Sequence, residues 1–436
     1  MELTIRPDTR SHARGATLMT LAPTRPAAPR GAPPRLARAA VLAAATLTIM
    51  AAAIIAPSLP AMREVFADTH GADLLVRFAL TVTSLAIAVS APVSGVVADR
   101  LGRRTLLVAG LGLYAVSGTA GYFAGDLYVL LATRALLGVA VGGITTAVSA
   151  AITDWFDGPR RASFLGLQQA FAGLGGVVFL PLAGLVAAVD WRAPFWIYAA
   201  SAVVAVLAVR ALRDQPRIAR TAAPARAPAP RRPATGRILG LYVLALVATL
   251  AFYMAPTQLP FLLDGYGGGP AVTGAVIAGS TLSSVLGALA FPSLRRRLPS
   301  TAITTVSVAL LGVGWLLVGT AGGIARIVAG LLVGGAGVGL VVPNLNLRLG
   351  ELAPPDRRGR VLSGLVTGIF LGQFLSPLAV EPLIRSADIA DAFTWTGLAM
   401  AAGAAVAALR LWPPRTGRHS SALHRTGTTT PKERQQ

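Results

Sequence analysis

Apolar stretches of spanning length recur along the chain near residues 38–60, 75–98, 105–124, 128–151, 163–187, 194–212, 237–262, 271–294, 301–320, 325–349, 360–383 and 391–412, each closed by a short polar break. About twenty helical residues at a rise of about 1.5 Å cover the roughly 30 Å of hydrocarbon in a bilayer. The pattern predicts twelve α-helices. A lone strand would leave backbone groups unpaired in lipid, and a membrane β-barrel would alternate polarity over segments of about ten residues. Residues Ala39 to Ala56 carry no charge. They read as a first retained helix, and the Arg- and Pro-rich residues before them as a disordered basic tail with no clear signal-peptide core.

Charge placement orders these helices. Of the 39 Lys and Arg residues, 33 fall on one side of the alternating runs. Five fall in the opposite loops (Arg63, Arg77, Arg192, Arg326 and Arg385), and Arg134 alone is left inside a span. The positive-inside rule then places both termini in the cytoplasm, which requires an even number of spans. Residues 213–236 are rich in Pro, Ala and Arg and read as a flexible cytoplasmic connector. The expected organisation is a tail over 1–37, a six-helix bundle over 38–212, the linker, a second six-helix bundle over 237–412 and a tail over 413–436. A weak echo supports the division. Pro159-Arg160-Arg161 precedes Gly166 and Pro181-Leu182, and Pro355-Asp356-Arg357-Arg358 precedes Gly364 and Pro377-Leu378.

Composition agrees. Hydrophobic residues make up 54%, charged residues 13%, and mean hydropathy is +0.64. The net charge of +21 is spread in short clusters between apolar runs, a topological pattern and not a nucleic-acid patch. The chain has no cysteine, and its histidines (His12, His70, His419 and His424) lie in expected loops or tails. Neither a disulfide nor a metal-ligand spacing is present, no cofactor motif appears, and no nucleophile–base pair suggests an enzyme.

The stretch Gly95-Val96-Val97-Ala98-Asp99-Arg100-Leu101-Gly102-Arg103-Arg104 is a charged knot between two apolar runs. It resembles the loop between the second and third helices of the major facilitator superfamily, Gly-x-x-x-Asp-Arg-x-Gly-Arg-Arg/Lys. The resemblance implies a twelve-helix, all-α polytopic membrane protein in two six-helix bundles. It also implies that Gly95, Asp99, Arg100, Gly102, Arg103 and Arg104 latch the cytoplasmic side. Gly95 is expected to let helices approach closely and Gly102 to permit a sharp turn. Arginine anchoring alone does not explain Asp99. The second-half counterpart keeps Gly287 and Arg295 to Arg297 but has no aspartate.

Further motifs resemble the drug:proton antiporter branch of that family. Arg134-Ala135-Leu136-Leu137-Gly138 is similar to its fourth-helix Arg-x-x-Gln-Gly, with Leu137 in place of glutamine. This makes Arg134 the candidate for proton coupling. A charge at mid-bilayer costs at least about 2.5–3.5 kcal/mol, so the arginine either faces a cavity with a partner or snorkels to the surface from a helix starting near Asp126. Gly176, Pro181 and Gly184 match part of the helix-five antiporter motif, but Leu180 stands where a glycine is expected. Ala56-Pro57-x-Leu59-Pro60 closes the first helix, and Trp191-Arg192 reads as an interfacial anchor.

Gln168, Gln169, Tyr253, Gln258, Asn344, Asn346 and Gln373 are uncharged polar residues in spans. They either contact substrate in a central cavity or bond neighbouring helices. Phe252, Phe261 and Phe370 either wall that cavity or pack. Carboxylates are scarce: Asp154, Glu351 and Glu381 lie near helix ends, and Glu64 and Asp68 follow helix one. The implied function is proton-driven export of a small apolar or amphipathic compound across the bacterial inner membrane by a monomer. The rival readings are an importer or facilitator of a neutral metabolite and a non-transporting sensor.

Overall fold

In the computed structural model, residues 34–156, 158–212, 235–354 and 358–411 are described. The tails over 1–33 and 412–436, linker residues 213–234 and residues 355–357 of the downstream echo lie outside them, as do His12, His419 and His424.

Twelve helices among the described residues are long and apolar enough to cross a membrane. They are α1 (Arg35–Val65), α2 (Ala72–Ala98), α3 (Arg103–Phe123), α4 (Leu127–Trp155), α5 (Ser163–Ala187), α6 (Ala193–Ala211), α7 (Thr235–Gly265), α8 (Pro270–Arg295), α9 (Ser300–Gly319), α10 (Ile324–Leu352), α11 (Arg360–Ser386) and α12 (Ile389–Leu409). No strand occurs among these residues. Several helices outrun their apolar pattern; α4, for example, runs on to Trp155. A helix satisfies its own backbone groups and need not stop where hydrocarbon ends.

Packing repeats between the halves. In the first, α2 and α3 pack on α4, α1 on α5, and α3 on α6. In the second, α8 and α9 pack on α10, α7 on α11, and α9 on α12. Each pairing recurs six helices later. The two most extensive pairings between the halves, α2 with α11 and α5 with α8, are equivalent under the same shift, and smaller contacts of α1 with α7 and α8 also cross. The two six-helix bundles are thus a structural repeat whose sequence echo has nearly faded.

The equivalent helices α1 and α7 are both broken. In α1, a helix over Arg35–Ala53 gives way to a 3-10 turn at Ala56–Ser58 and a short helix over Leu59–Val65. Pro57 has no N–H to offer the preceding turn. In α7, Tyr253 separates Thr235–Phe252 from Met254–Gly265. Neighbouring helices cap carbonyls just before each break. The hydroxyls of Tyr114 on α3 and Tyr198 on α6 donate to Leu47 O and Ala51 O, each at 2.8 Å. Trp315 Nε1 on α9 and Ser376 Oγ on α11 donate to Ala251 O and Leu250 O, each at 2.8 Å. In lipid such carbonyls have no water to turn to.

The short segments beyond the breaks pack together and on α8, away from the arginine-rich end. Ile54, Ile55, Leu59, Met62, Met254 and Leu259 form a wholly buried layer there. The contacts between α1 and α7 are concentrated in these short segments.

Candidate functional site

Along α2 and α11 three kinds of contact cross between the halves. Arg77 Nη1 donates to Glu381 Oε2 at 2.9 Å, with both side chains largely buried. One residue along, Phe78 and Phe374 stack with ring centres 5.6 Å apart. Two turns deeper, Ser84 Oγ donates to Gln373 Oε1 at 2.8 Å, and the same serine contacts the Tyr253 hydroxyl at the break in α7. Both carboxylate oxygens of Glu381 have a partner, since its Oε1 accepts from Arg385 Nε at 3.0 Å. Arg77 and Arg63 each place the guanidinium carbon 5.1 Å from the centre of the Phe261 ring, so a cation–π contact ties α1 and α2 to α7.

These positions correct the sequence reading. Arg77 is not a loop residue; it sits inside α2, buried at 4% exposure. Glu381 is not merely near a helix end, since it carries the charged contact between the bundles. A signal was present in two charges of opposite sign, Arg77 and Glu381, each two residues inside an expected apolar run.

The second seam, between α5 and α8, is built from backbone. Gly184 faces Pro270, Ala271 and Gly274, where a Cβ would come within 3.1 Å of the Ala271 and Gly274 Cα atoms. Gly176 faces Thr281 and Ile49. Pro181 lies within α5 between the two glycines. The helix-five motif is therefore a surface of contact between the halves.

At the arginine-rich end the knot folds as expected at Gly102, whose φ of 93° suits glycine alone. Arg103 donates to Ala98 O at 3.3 Å and pairs with Asp154 Oδ2 of α4 at 3.0 Å. Arg104 donates to Val209 O near the end of α6 at 3.0 Å, a cation at a helix C-terminus. Arg100 is exposed. The side chain of Asp99 lies outside the described residues. Gly95 departs from expectation: a Cβ there would meet nothing within 4 Å, so it mediates no close approach in this state. Its counterpart Gly287 does, with Ala336 O 2.6 Å from the Cβ position.

Arg134 neither snorkels nor faces the bundle interface. It is wholly buried within the first bundle. Its Nη2 donates to Ser117 O at 3.0 Å and Gly118 O at 2.9 Å, carbonyls in the last turn of the helix that ends at Ala120. Its guanidinium carbon lies 4.9 Å from the ring centres of both Phe195 and Tyr198. It thus acts as a C-terminal cap for α3, held by carbonyls and rings.

The polar candidates divide. Tyr253 and Gln373 converge on Ser84, which the sequence reading did not single out. Gln258 is fully buried in the layer beyond the breaks, and neither amide atom has a partner among the described residues. Gln168 is half-buried with Oε1 unpartnered, and Gln169 is exposed. Asn344 bonds a neighbouring helix: its Nδ2 donates at 2.8 Å to both Ser300 O and Thr304 Oγ1, tying α10 to α9, while its buried Oδ1 has no partner among the described residues. Exposed Asn346 donates to Val342 O of its own helix at 3.1 Å. Phe252 stacks on Trp315, and Phe370 packs on the core. Trp191, read as an interfacial anchor, sits edge-on to Phe66 and Phe195.

Comparison with known proteins accords with this architecture. The family model described as the Major Facilitator Superfamily matches residues 41–377 and 241–433. The chain is 29% identical to the tetracycline resistance protein, class C, of Escherichia coli over 403 residues, 88% of this chain and 97% of that protein. It is 31% identical to the puromycin resistance protein pur8 of Streptomyces alboniger over 183 residues, 42% of this chain and 35% of that protein. Among solved structures, a D-xylose–proton symporter superposes with a TM-score of 0.68 at 15% identity, covering 85% of this chain and 96% of that one. A bacterial homologue of the human lysosomal transporter Spinster gives 0.66 at 14% identity, covering 85% and 94%.

Proposed function

This chain belongs to the major facilitator superfamily, a family of multi-pass membrane transporters, and we propose that it exports a small apolar or amphipathic compound in exchange for protons. The arginine-rich end faces the cytoplasm, as the positive-inside rule prefers. The two bundles rock about a central site, alternately sealing the outer end along α2–α11 and α5–α8 and the cytoplasmic end through the knot at 95–104.

The observation that carries this reading is that the directional contacts of α2 with α11 run from the outer end to the middle of those helices. The seam holds Arg77, Glu381, Phe78 and Phe374, and at the other end Arg103 contacts Ala98 and Asp154 and Arg104 contacts Val209, all within the first bundle. Such a molecule is shut on one side and has a repeat-related way of shutting the other. The substrate class follows from the polar groups next to the seam: Ser84, Tyr253 and Gln373 are neutral and accompanied by aromatic rings. Neutral donors and rings suit an amphipathic ligand, and a polyanion would call for convergent cations. Antibiotic-resistance names among the relatives point the same way.

Proteoliposomes with an imposed pH gradient test the proposal. Uphill, gradient-dependent movement of an amphipathic antibiotic such as tetracycline or puromycin supports it. Counterflow without uphill movement indicates a facilitator. Absence of flux across a broad compound panel supports a non-transporting role.

A further inference from the structure

Among the described ion pairs, Arg77–Glu381 alone crosses between the bundles. Its two charges are held on opposite moving bodies. Any motion that parts α2 from α11 withdraws Arg77, along with Arg63 on α1, from the carboxylate. Only Arg385, four residues along the same helix, travels with Glu381. A carboxylate that loses one of its two cations when the seam parts binds a proton more readily than it does in the closed seam.

We propose that Glu381 is the proton-binding site of the transport cycle, with Arg77 and a proton as alternate occupants of one carboxylate. The inference rests on the alternating-access reading above. With the seam parted, hydronium at the opened face gives its proton to Oε2 and leaves as water. On closure the proton passes back to water and the guanidinium takes its place, keeping its own charge throughout. The linkage is reciprocal: protonation favours the parted seam to the same degree that parting favours protonation.

The surroundings fit this role. Charged groups at this end of the packed elements are Arg77 and Asp73 on α2, Arg63 and the exposed Glu64 on α1, Asp264 on α7, Arg326 on α10, Arg385 on α11, and Asp388 and Asp391 at the start of α12. Asp73, Asp264, Arg326, Arg385, Asp388 and Asp391 are exposed, and Arg63 is half-buried on Phe261. Glu381 is therefore the shielded carboxylate at the seam. Gln258 lies one turn below Phe261 on α7, fully buried with a bare amide, and Ser58 Oγ in the facing α1 turn is also buried without a partner. Polar atoms left bare in an apolar layer are sites for ordered water, which would supply a path for the proton inward.

The test uses the absence of cysteine. Spin labels at His70→Cys and Ala387→Cys, both exposed loop positions flanking the seam, report the α2–α11 separation in lipid nanodiscs. The first label also replaces the one histidine among the described residues. The parted population is expected to rise about tenfold between about pH 8 and about pH 5, a modest shift for a two-state element. In Glu381→Gln, and in the doubly neutral Glu381→Gln/Arg77→Gln that avoids a stranded charge, it should be high and independent of pH. Glu381→Asp should keep the dependence. A pH response that survives Glu381→Gln, or a parent whose distances ignore pH, overturns the proposal.

Transport separates it from the reading beneath it. If the parent drives uphill export from a pH gradient and Glu381→Gln does too, the proton site is elsewhere and the exporter stands. If the parent shows Glu381-dependent opening but no gradient-driven flux, the site stands and the coupled-export reading falls.

Discussion

Arg77 and Glu381 stand 304 residues apart in the chain and 2.9 Å apart in space, one on each bundle. Removing one partner of a buried pair strands the other and typically costs about 3–5 kcal/mol, whereas removing both is much milder. Arg77→Gln should therefore lower thermal stability in detergent more than Arg77→Gln/Glu381→Gln does. Additive losses would mean the two charges do not sense each other.

Arg134→Ala should destabilise the first bundle by about 2–4 kcal/mol, from the lost charge-assisted hydrogen bonds and cation–π contacts. Arg134→Lys should recover only part of this, because an ammonium lacks the planar fork that meets two carbonyls. Its described partners are all neutral, so the pH profile of the remaining transport should keep its shape. A displaced profile would restore Arg134 as a coupling residue.

The two glycines of the charged knot should behave differently. Gly102→Ala places a side chain at φ 93° and should cost about 1–3 kcal/mol in thermal unfolding. Gly95→Ala points into open space and should fall within about 0.5 kcal/mol of the parent. Equal effects would contradict the turn geometry.

Gly184→Val should wedge α5 from α8, since even a Cβ meets backbone there. Inter-bundle distances should shift toward the parted state, with transport falling about tenfold. Unchanged distances and rates would show that the seam gives way at little cost.

The fold was legible because lipid imposes one strong rule, that a spanning segment must be long, apolar and helical. Twelve runs and their arginine asymmetry said most of it. The turn at Gly102 was readable too, because a charged break between helices has few backbone solutions. What could not be read was pairing. Arg77 looked like a loop charge and Glu381 like a helix end until the packing of α2 on α11 put them at one level. Asn344 looked available until α9 claimed its amide. Arg134 looked like a cavity residue because spacing says that a charge is buried but not which neighbours bury it.

The two seams differ in kind, and that difference decides how the halves can move. Glycine faces make no directional bonds, so α5 and α8 can roll on each other through a continuum of angles. The ion pair, ring stack and hydrogen bond of α2–α11 are directional, and they fail together over a small displacement. The molecule is bound like a book with a spine on one edge and a clasp on the other. In the proposed rocking motion the α2–α11 contacts are therefore the ones that break outright, while the α5–α8 faces slide.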